Sequence, residues 1–198
     1  MIWHDVSQNS EEWDELRRAK FTASSFSDLF MAKSTAGYKK AIRKVVYERL
    51  TGESPESFKS DYMERGHEIE PMAREAYELN TFNEVTNGGF FEYNEWVGAS
   101  PDGLIGNDGL LEIKCPAYNT FIDYLISGQV PSEYFYQLQG QLFVTGRKWV
   151  DFVGYHPALP ILIVRVYPDK KAQDELDAAL LNAITEATNI INKIKTLW

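Results

Sequence analysis

A carboxylate in a proline turn, a second carboxylate on a strand and a lysine two residues further on are the residues of this sequence best suited to chemistry. Ser100-Pro101-Asp102-Gly103 leads, with nine residues between Asp102 and Glu112, to Glu112-Ile113-Lys114. Strand alternation puts Glu112 and Lys114 on one face, about 6.5 Å apart, and Asp102 lies in the turn opening the hairpin that leads back to that strand. Two carboxylates and an ammonium can therefore meet at one sheet edge. Hard oxygen ligands of this kind suit Mg²⁺ or Mn²⁺, which bind through a few carboxylates, water and substrate phosphate. A lysine beside them can orient or activate a water and offset charge developing on a phosphorane. The pattern, P-D-x₉-E-x-K, is short, and an ordinary hairpin with a turn aspartate and an exposed Glu/Lys pair would leave the same trace. Its context is more specific, because Leu110, Leu111 and Ile113 surround the two charges. Upstream, Gly66-His67-Glu68-Ile69-Glu70-Pro71 offers another carboxylate on a helix; downstream, Tyr134 to Gln141 places Gln137 and Gln141 one helical turn apart.

The elements that must position these groups follow from periodicity. Ser10 is a capping-type residue before a helix that puts Trp13, Leu16 and Arg17 on one face. Phe21-Thr22-Ala23-Ser24-Ser25 breaks that helix and supplies hydroxyls to cap the next, around Phe26–Met31. Tyr38, Ile42, Val45, Val46 and Leu50 keep helical spacing up to Thr51-Gly52, a polar loop covers 52–60, and Tyr62–Leu79 is helical again, kinked or restarted at Pro71. Short runs at Phe90–Tyr93, Trp96–Ala99, Gly103–Gly106 and Leu110–Lys114, punctuated by Asn-Gly, Asp-Gly and Pro turns, predict a meander of strands. Helices are expected over Tyr118–Ser127 and Glu133–Thr145, strands over Val150–His156 and Ile161–Val166, and a long amphipathic helix carries Leu176, Leu180, Ile184, Ala187, Ile191, Ile194 and Trp198 on one stripe. The fold class this implies is α/β: a mixed β-sheet flanked by helices, with a helical N-terminal layer.

The chain has 198 residues and is 44% hydrophobic, enough for one sizeable core, so a single domain over residues 1–198 is expected. No stretch approaches the roughly 20 apolar residues of a membrane helix, and the Met1-Ile-Trp-His-Asp start has no signal-peptide character, which points to the cytoplasm. The lone Cys115 excludes an internal disulfide. A net charge of −9 argues against a passive nucleic-acid coat. The charge is unevenly spread, however: residues 17–50 balance at +7 (nine Lys/Arg, two acids) and 51–110 at −10 (three against thirteen). A basic arm beside an acidic centre suits a metal-dependent enzyme acting on polyphosphate, and equally two solvated faces.

Taken in order, Trp13-x₃-Arg17 with Thr22-Ala23-Ser24, Gly66-x₃-Glu70, Ser100-Pro101-Asp102-Gly103, Leu111-Glu112-Ile113-Lys114-Cys115-Pro116 and Tyr134-x₂-Gln137-x-Gln139 give a sequence that resembles the phage lambda exonuclease family. This is the YqaJ-like viral recombinase family of the PD-(D/E)xK nuclease superfamily, and the resemblance runs from about Trp13 to Pro157. It implies a restriction-endonuclease-like core. It also implies a Mg²⁺-dependent (or Mn²⁺-dependent) 5′→3′ exonuclease that digests one strand of linear duplex DNA to mononucleotides and leaves a 3′ overhang for strand annealing. Asp102, Glu112 and the Ile113 backbone carbonyl would then bind metal, with Glu70 helping to hold a second ion or its waters. Lys114 would position or deprotonate the attacking water, and Gln137 would complete the wall. Arg17 and Ser24 would hold the 5′-terminal phosphate, with Thr22 and Tyr134 also on the DNA. Free N–H groups at a helix start suit the Thr22–Ser24 part of that role, and a bidentate guanidinium suits Arg17. A homotrimeric ring, a single-strand annealing recombinase as partner and a bacterial host cytoplasm also come with the resemblance.

Each residue has a plainer reading. Arg17 can pair with Glu12, Asp14 or Glu15, and Glu70 can be a solvated helix residue. His67 is expected at the surface or behind the site, Gln137 and Gln139 on different helix faces, and Cys115 in the core on the face opposite Lys114. Two rival functions share the sequence: an endonuclease or repair nuclease of the same superfamily, and an acidic DNA mimic without enzymatic activity. The first gives Arg17 and Ser24 no terminal phosphate to hold, and the second leaves Lys114 and the basic arm unexplained.

Overall fold

A computed structural model describes residues 1–55 and 61–197. Residues 56–60 of the expected polar loop, the side chain of His67, and Trp198 at the end of the amphipathic stripe lie outside the described part. The elements are β1 (Ile2–His4), α1 (Glu11–Arg17), β2 (Phe21–Thr22), a 3-10 helix (Ala23–Phe30), α2 (Ala36–Thr51), α3 (Asp61–Thr81), β3 (Val85–Asn87), β4 (Phe90–Asn94), β5 (Val97–Ala99), β6 (Gly103–Ile105), β7 (Gly109–Lys114), α4 (Tyr118–Ser127), a 3-10 turn (Ser132–Tyr134), α5 (Phe135–Thr145), β8 (Trp149–Gly154), β9 (Leu162–Val166) and α6 (Lys170–Lys195).

The strands form two mixed sheets, not the single meander expected. β4 and β5 pair with β1 and β2 in the order β1-β4-β5-β2, while β6 and β7 belong to a five-stranded sheet, β3-β6-β7-β8-β9. The chain changes sheet at Ser100-Pro101, where proline has no N–H to continue a ladder. Gly88 presses against this point: a Cβ there would stand 1.8 Å from the Pro101 carbonyl oxygen. β1, β2 and β3, at two or three residues each, are too short to show a period.

β7 is the axis of the larger sheet. It pairs antiparallel with β6 and parallel with β8, and its residues are buried up to Lys114. Its alternate residues serve two cores. Leu110 packs with Leu138, Leu142, Val150 and Phe152, which places this face against α5. Leu111 and Ile113 pack with Ala73 and Tyr77 of α3 on the opposite face. By the period of two, Glu112 and Lys114 share the α5 face with Leu110.

The helices largely follow the periodicity. Thr35 caps α2 through Tyr38 N–H (3.4 Å) and Gly52, at φ 74°, ends it. α4 spans the expected residues, and α6 buries Leu176, Leu180, Ala183, Ala187 and Ile191. Pro71 lies inside α3, which is one helix and not two. Ala23–Phe30 is a 3-10 helix without a side-chain cap from Thr22; the hydroxyls are otherwise engaged, Ser25 Oγ donating to the Thr22 carbonyl at 2.9 Å and Thr22 Oγ1 lying 3.4 Å from Ser24 Oγ.

This 3-10 helix presses on α5 at Gly140, where an added Cβ would meet the Phe26 ring at 2.2 Å. Phe26 is fully buried. Gly140→Ala should therefore destabilise the protein by about 1–2 kcal/mol, overpacking outweighing a helix-propensity gain of at most about 1 kcal/mol. A urea midpoint that falls at constant m-value is the expected result; a midpoint that rises contradicts this packing.

Candidate active site

An open cavity of about 550 Å³ lies where the two sheets, α1, α3 and α5 converge. All ten residues singled out from the sequence, Arg17, Thr22, Ser24, Glu70, Asp102, Glu112, Ile113, Lys114, Tyr134 and Gln137, line it. They come from eight separate elements or their junctions, so only the tertiary fold assembles them.

Glu112 is 1% exposed, and a charge buried on a central strand needs partners. Lys114 Nζ donates to its Oε1 at 2.5 Å, Gln137 Nε2 to the same oxygen at 2.5 Å, and Gln141 Nε2 to Oε2 at 2.5 Å. The two glutamines are one helical turn apart on α5, the helix that the period of β7 places over Glu112. Gln139 points elsewhere, bonding the Tyr167 carbonyl and Asp169 N–H, as its different helix face requires.

Asp102 is held as firmly. Its backbone N–H donates to the Leu111 carbonyl at 3.0 Å, and its Oδ2 accepts Ile113 N–H at 2.7 Å. Its Oδ1 accepts Gln8 Nε2 at 3.1 Å, and Arg74 Nη2 on α3 donates to its carbonyl. The carboxylate thus replaces β6 as the hydrogen-bonding neighbour of β7 beyond Leu111. In an extended strand the N–H and C=O of one residue point to the same side, so the Ile113 carbonyl also faces Asp102. Trp13 secures the preceding turn: Nε1 donates to Ser100 Oγ at 2.7 Å, and Ser100 Oγ donates to the Gly89 carbonyl at 2.7 Å.

The electrostatics are those of crowded carboxylates. Glu70, half-buried on α3, is pushed up to about 7 by burial and then by the charges of Asp102 and Glu112, with Arg74 and Lys114 opposing. Burial and Asp102 raise the Glu112 carboxyl against the pull of Lys114 and Gln141. Burial alone would lower Lys114, but attraction to Glu112 and Asp102 outweighs it and holds the ammonium charged. Repulsion among three carboxylates is what a divalent cation relieves, and the donors are all oxygen, so the residues fit Mg²⁺ or Mn²⁺. Among the described residues no three His, Cys, Asp or Glu side chains form a ready-made cage. An ion here would draw on carboxylates, the Ile113 carbonyl, water and substrate oxygens, as Mg²⁺ commonly does.

Arg17 stacks on Trp13, its guanidinium carbon 3.9 Å from the ring centroid. Among the described residues it makes no ion pair with Glu12, Asp14 or Glu15. Burial lowers its pKa, opposed by Asp14, Glu48, Glu112 and Asp102; a guanidinium stays charged through such a shift and is left as a poorly hydrated cation at the cavity wall. Tyr134 lies under Lys114, with Nζ 5.2 Å from its ring centroid.

Cys115 departs from expectation in part. It packs beside Ile113 in the second core, but it also lines the cavity. Its thiol is pushed up to about 11 by burial and by Glu70 and Asp102, which keeps it a thiol and no nucleophile. Sequence reasoning did not assign Gln8, Arg65, Arg74 or Gln141 to the site. The spacing of Gln141 from Gln137, and of Arg74 from Glu70, was the available signal; Gln8 and Arg65 carried none.

A family model described as the YqaJ-like viral recombinase domain matches residues 12–148. Among solved structures, the chain is similar to an alkaline exonuclease, LHK-Exo, from Laribacter hongkongensis, at 35% identity and a TM-score of 0.88, covering 94% of this chain and 97% of that one. The same exonuclease in complex with dAMP aligns at 34% identity and a TM-score of 0.88, with the same coverage. A phage-related exonuclease from Haemophilus somnus 129PT shares the fold at 17% identity and a TM-score of 0.66, over 91% of this chain and 99% of that one. No curated protein matches. With the family model spanning residues 12–148, well over half its length, the chain belongs to the YqaJ-like viral recombinase family.

Proposed function

We propose that this protein is a Mg²⁺-dependent 5′→3′ exonuclease, with Mn²⁺ as the alternative cation, that digests one strand of linear duplex DNA to mononucleotides and leaves a 3′ single-stranded overhang. The observation that carries this reading is one cavity lined both by Asp102, Glu112 and Lys114 and by Arg17, Thr22 and Ser24. An endonuclease would gain nothing from a terminal-phosphate pocket next to its carboxylates. Similarity to an alkaline exonuclease over nearly the whole chain, and that enzyme's complex with a mononucleotide, support the same conclusion.

Asp102, Glu112, Glu70 and the Ile113 carbonyl would hold the cation, which would supply Lewis-acid polarisation of the scissile phosphate and acidify water. The protein's own groups do the rest. Gln137 and Gln141 fix both oxygens of Glu112 without neutralising it, and Gln8 and Arg74 fix Asp102. Lys114 would position or deprotonate the attacking water and offset the negative charge that grows on phosphorus. Arg17 and the Thr22–Ser24 segment hold the 5′-terminal phosphate, which sets the next phosphodiester at the carboxylates, and Tyr134 contacts the same strand.

The partners that fit are linear duplex DNA with 5′-phosphate ends, two further copies of the chain in a ring, and a single-strand annealing recombinase that receives the overhang. Lys39, Lys40, Arg43 and Lys44 stand exposed on α2. A ring that turns them inward holds a polyanion that the remainder of a −9 chain repels. Among the described residues no helix is long and apolar enough to cross a membrane.

Two measurements test this reading. Asp102→Ala and Lys114→Ala should each lower single-turnover cleavage of linear duplex by about 10²-fold or more while circular dichroism and melting remain those of a folded protein. A folded Lys114→Ala variant that cleaves at the wild-type rate contradicts the assignment. 5′-Phosphorylated ends should be digested about ten- to hundredfold faster than 5′-hydroxyl ends, the equivalent of a charge-assisted contact, and Arg17→Ala should erase most of the difference. Equal wild-type rates on the two ends refute the phosphate pocket.

A further inference from the structure

Arg17 and the Thr22–Ser24 segment reach one cavity because the chain reverses between them within a few residues. Arg17 ends α1, Phe21 begins β2, and the link is a β-turn closed by Lys20 N–H donating to the Arg17 carbonyl at 3.3 Å. Arg18 has φ −58° and ψ 139°, and Ala19 has φ 63°. This is a type II turn, whose third position favours glycine or asparagine. An alanine there is strained, and a strained residue persists only where its surroundings over-determine it.

Two consecutive residues of α2 do so. Glu48 is 2% exposed, and its Oε2 accepts Ala19 N–H at 2.8 Å, with Lys44 Nζ 3.3 Å from Oε1. Arg49 Nε donates to the Ala19 carbonyl at 3.1 Å and its Nη2 to the Glu95 carbonyl at 2.5 Å. The Arg49 guanidinium lies 3.2 Å from the Trp96 ring centroid, and the Trp96 carbonyl accepts Phe21 N–H at 2.7 Å. Both backbone groups of the strained alanine, and the β5 end that receives β2, are therefore held by α2. Phosphodiester cleavage makes no use of Glu48, yet burying a carboxylate is costly.

We propose that Glu48 and Arg49 are positioning residues for the 5′-terminal phosphate, fixing the Ala19 turn so that Arg17 and the Thr22–Ser24 segment line one cavity. The inference rests on the phosphate-pocket reading above and names the device that sets its geometry.

The test compares kcat/KM on 5′-phosphorylated and 5′-hydroxyl ends for wild type, Glu48→Asp, Glu48→Gln and Arg49→Lys, each with its melting transition recorded. Glu48→Asp keeps the charge but withdraws the oxygen from Ala19 by one methylene; Glu48→Gln keeps the reach and loses the charge. The phosphate preference should fall about tenfold in Glu48→Asp, mainly through KM, with cleavage of 5′-hydroxyl ends within about twofold of wild type. Glu48→Gln should keep the wild-type preference. Arg49→Lys, whose single nitrogen replaces the planar fork that reaches the Ala19 and Glu95 carbonyls from two nitrogens, should show the same loss as Glu48→Asp and decides the matter if that variant does not fold. Equal losses on both ends, an unchanged preference in Glu48→Asp, or the same loss in Glu48→Gln overturns the positioning role. A wild type without preference removes the phosphate pocket itself, which is a different failure.

Discussion

The carboxylate of Glu112, buried at the centre of a sheet, is the constraint around which the rest is arranged. Taking such a group out of water costs several kcal/mol unless hydrogen bonds and an opposite charge compensate. Here the compensation is local and lopsided. One ammonium, Lys114, shares the strand face, and two amides from α5 complete the hydrogen bonds. Amides satisfy a carboxylate without cancelling its charge, so at this strand edge Glu112 and Asp102 face the single ammonium of Lys114. Burial, and then the charges of Asp102 and Glu112, raise Glu70 on the neighbouring helix to about 7, and three crowded carboxylates fit a divalent cation.

From this centre the requirements spread outward. α5 must lie flat on the β7 face, which Gly140 permits by letting Phe26 come close. Asp102 must stop β6 where it does, so it is tied from three directions by β7, Gln8 and Arg74. Trp13 joins the carboxylate side of the cavity to its Arg17 side, one edge on Ser100 and one face under Arg17. A shift in any of these contacts moves the carboxylates relative to Arg17.

Much of this was legible in the sequence where a period or a turn residue carries information. The helix ending at Gly52, the helix from Tyr118 to Ser127 and the alternation of Glu112 and Lys114 between apolar neighbours are local facts. What was not legible is long-range. The strands from Phe90 to Lys114 look like one meander because each is short and turn-bounded, yet partner choice at Ser100-Pro101 divides them between two sheets. β2 is two residues long and exists only because β5 pairs with it. Gln8 and Arg65 reach the cavity through the fold, and no spacing announces them. Gln141 was visible as a partner of Gln137 but not as a ligand of Glu112, since only the structure shows how closely α5 approaches β7. The strain at Ala19 is likewise a backbone property that an alanine codon hides.

The most direct measurement of the central claim is Mn²⁺ binding in the absence of DNA, followed by electron paramagnetic resonance or calorimetry, in wild type and in Glu112→Gln, with the melting temperature of each. If the buried carboxylate is kept for a cation, the wild type binds Mn²⁺ and is stabilised by it, while Glu112→Gln binds Mn²⁺ far more weakly and its melting temperature no longer responds to the metal. A wild type that binds no Mn²⁺, together with a Glu112→Gln protein that melts well below it, would show that Glu112 serves the fold and not the metal.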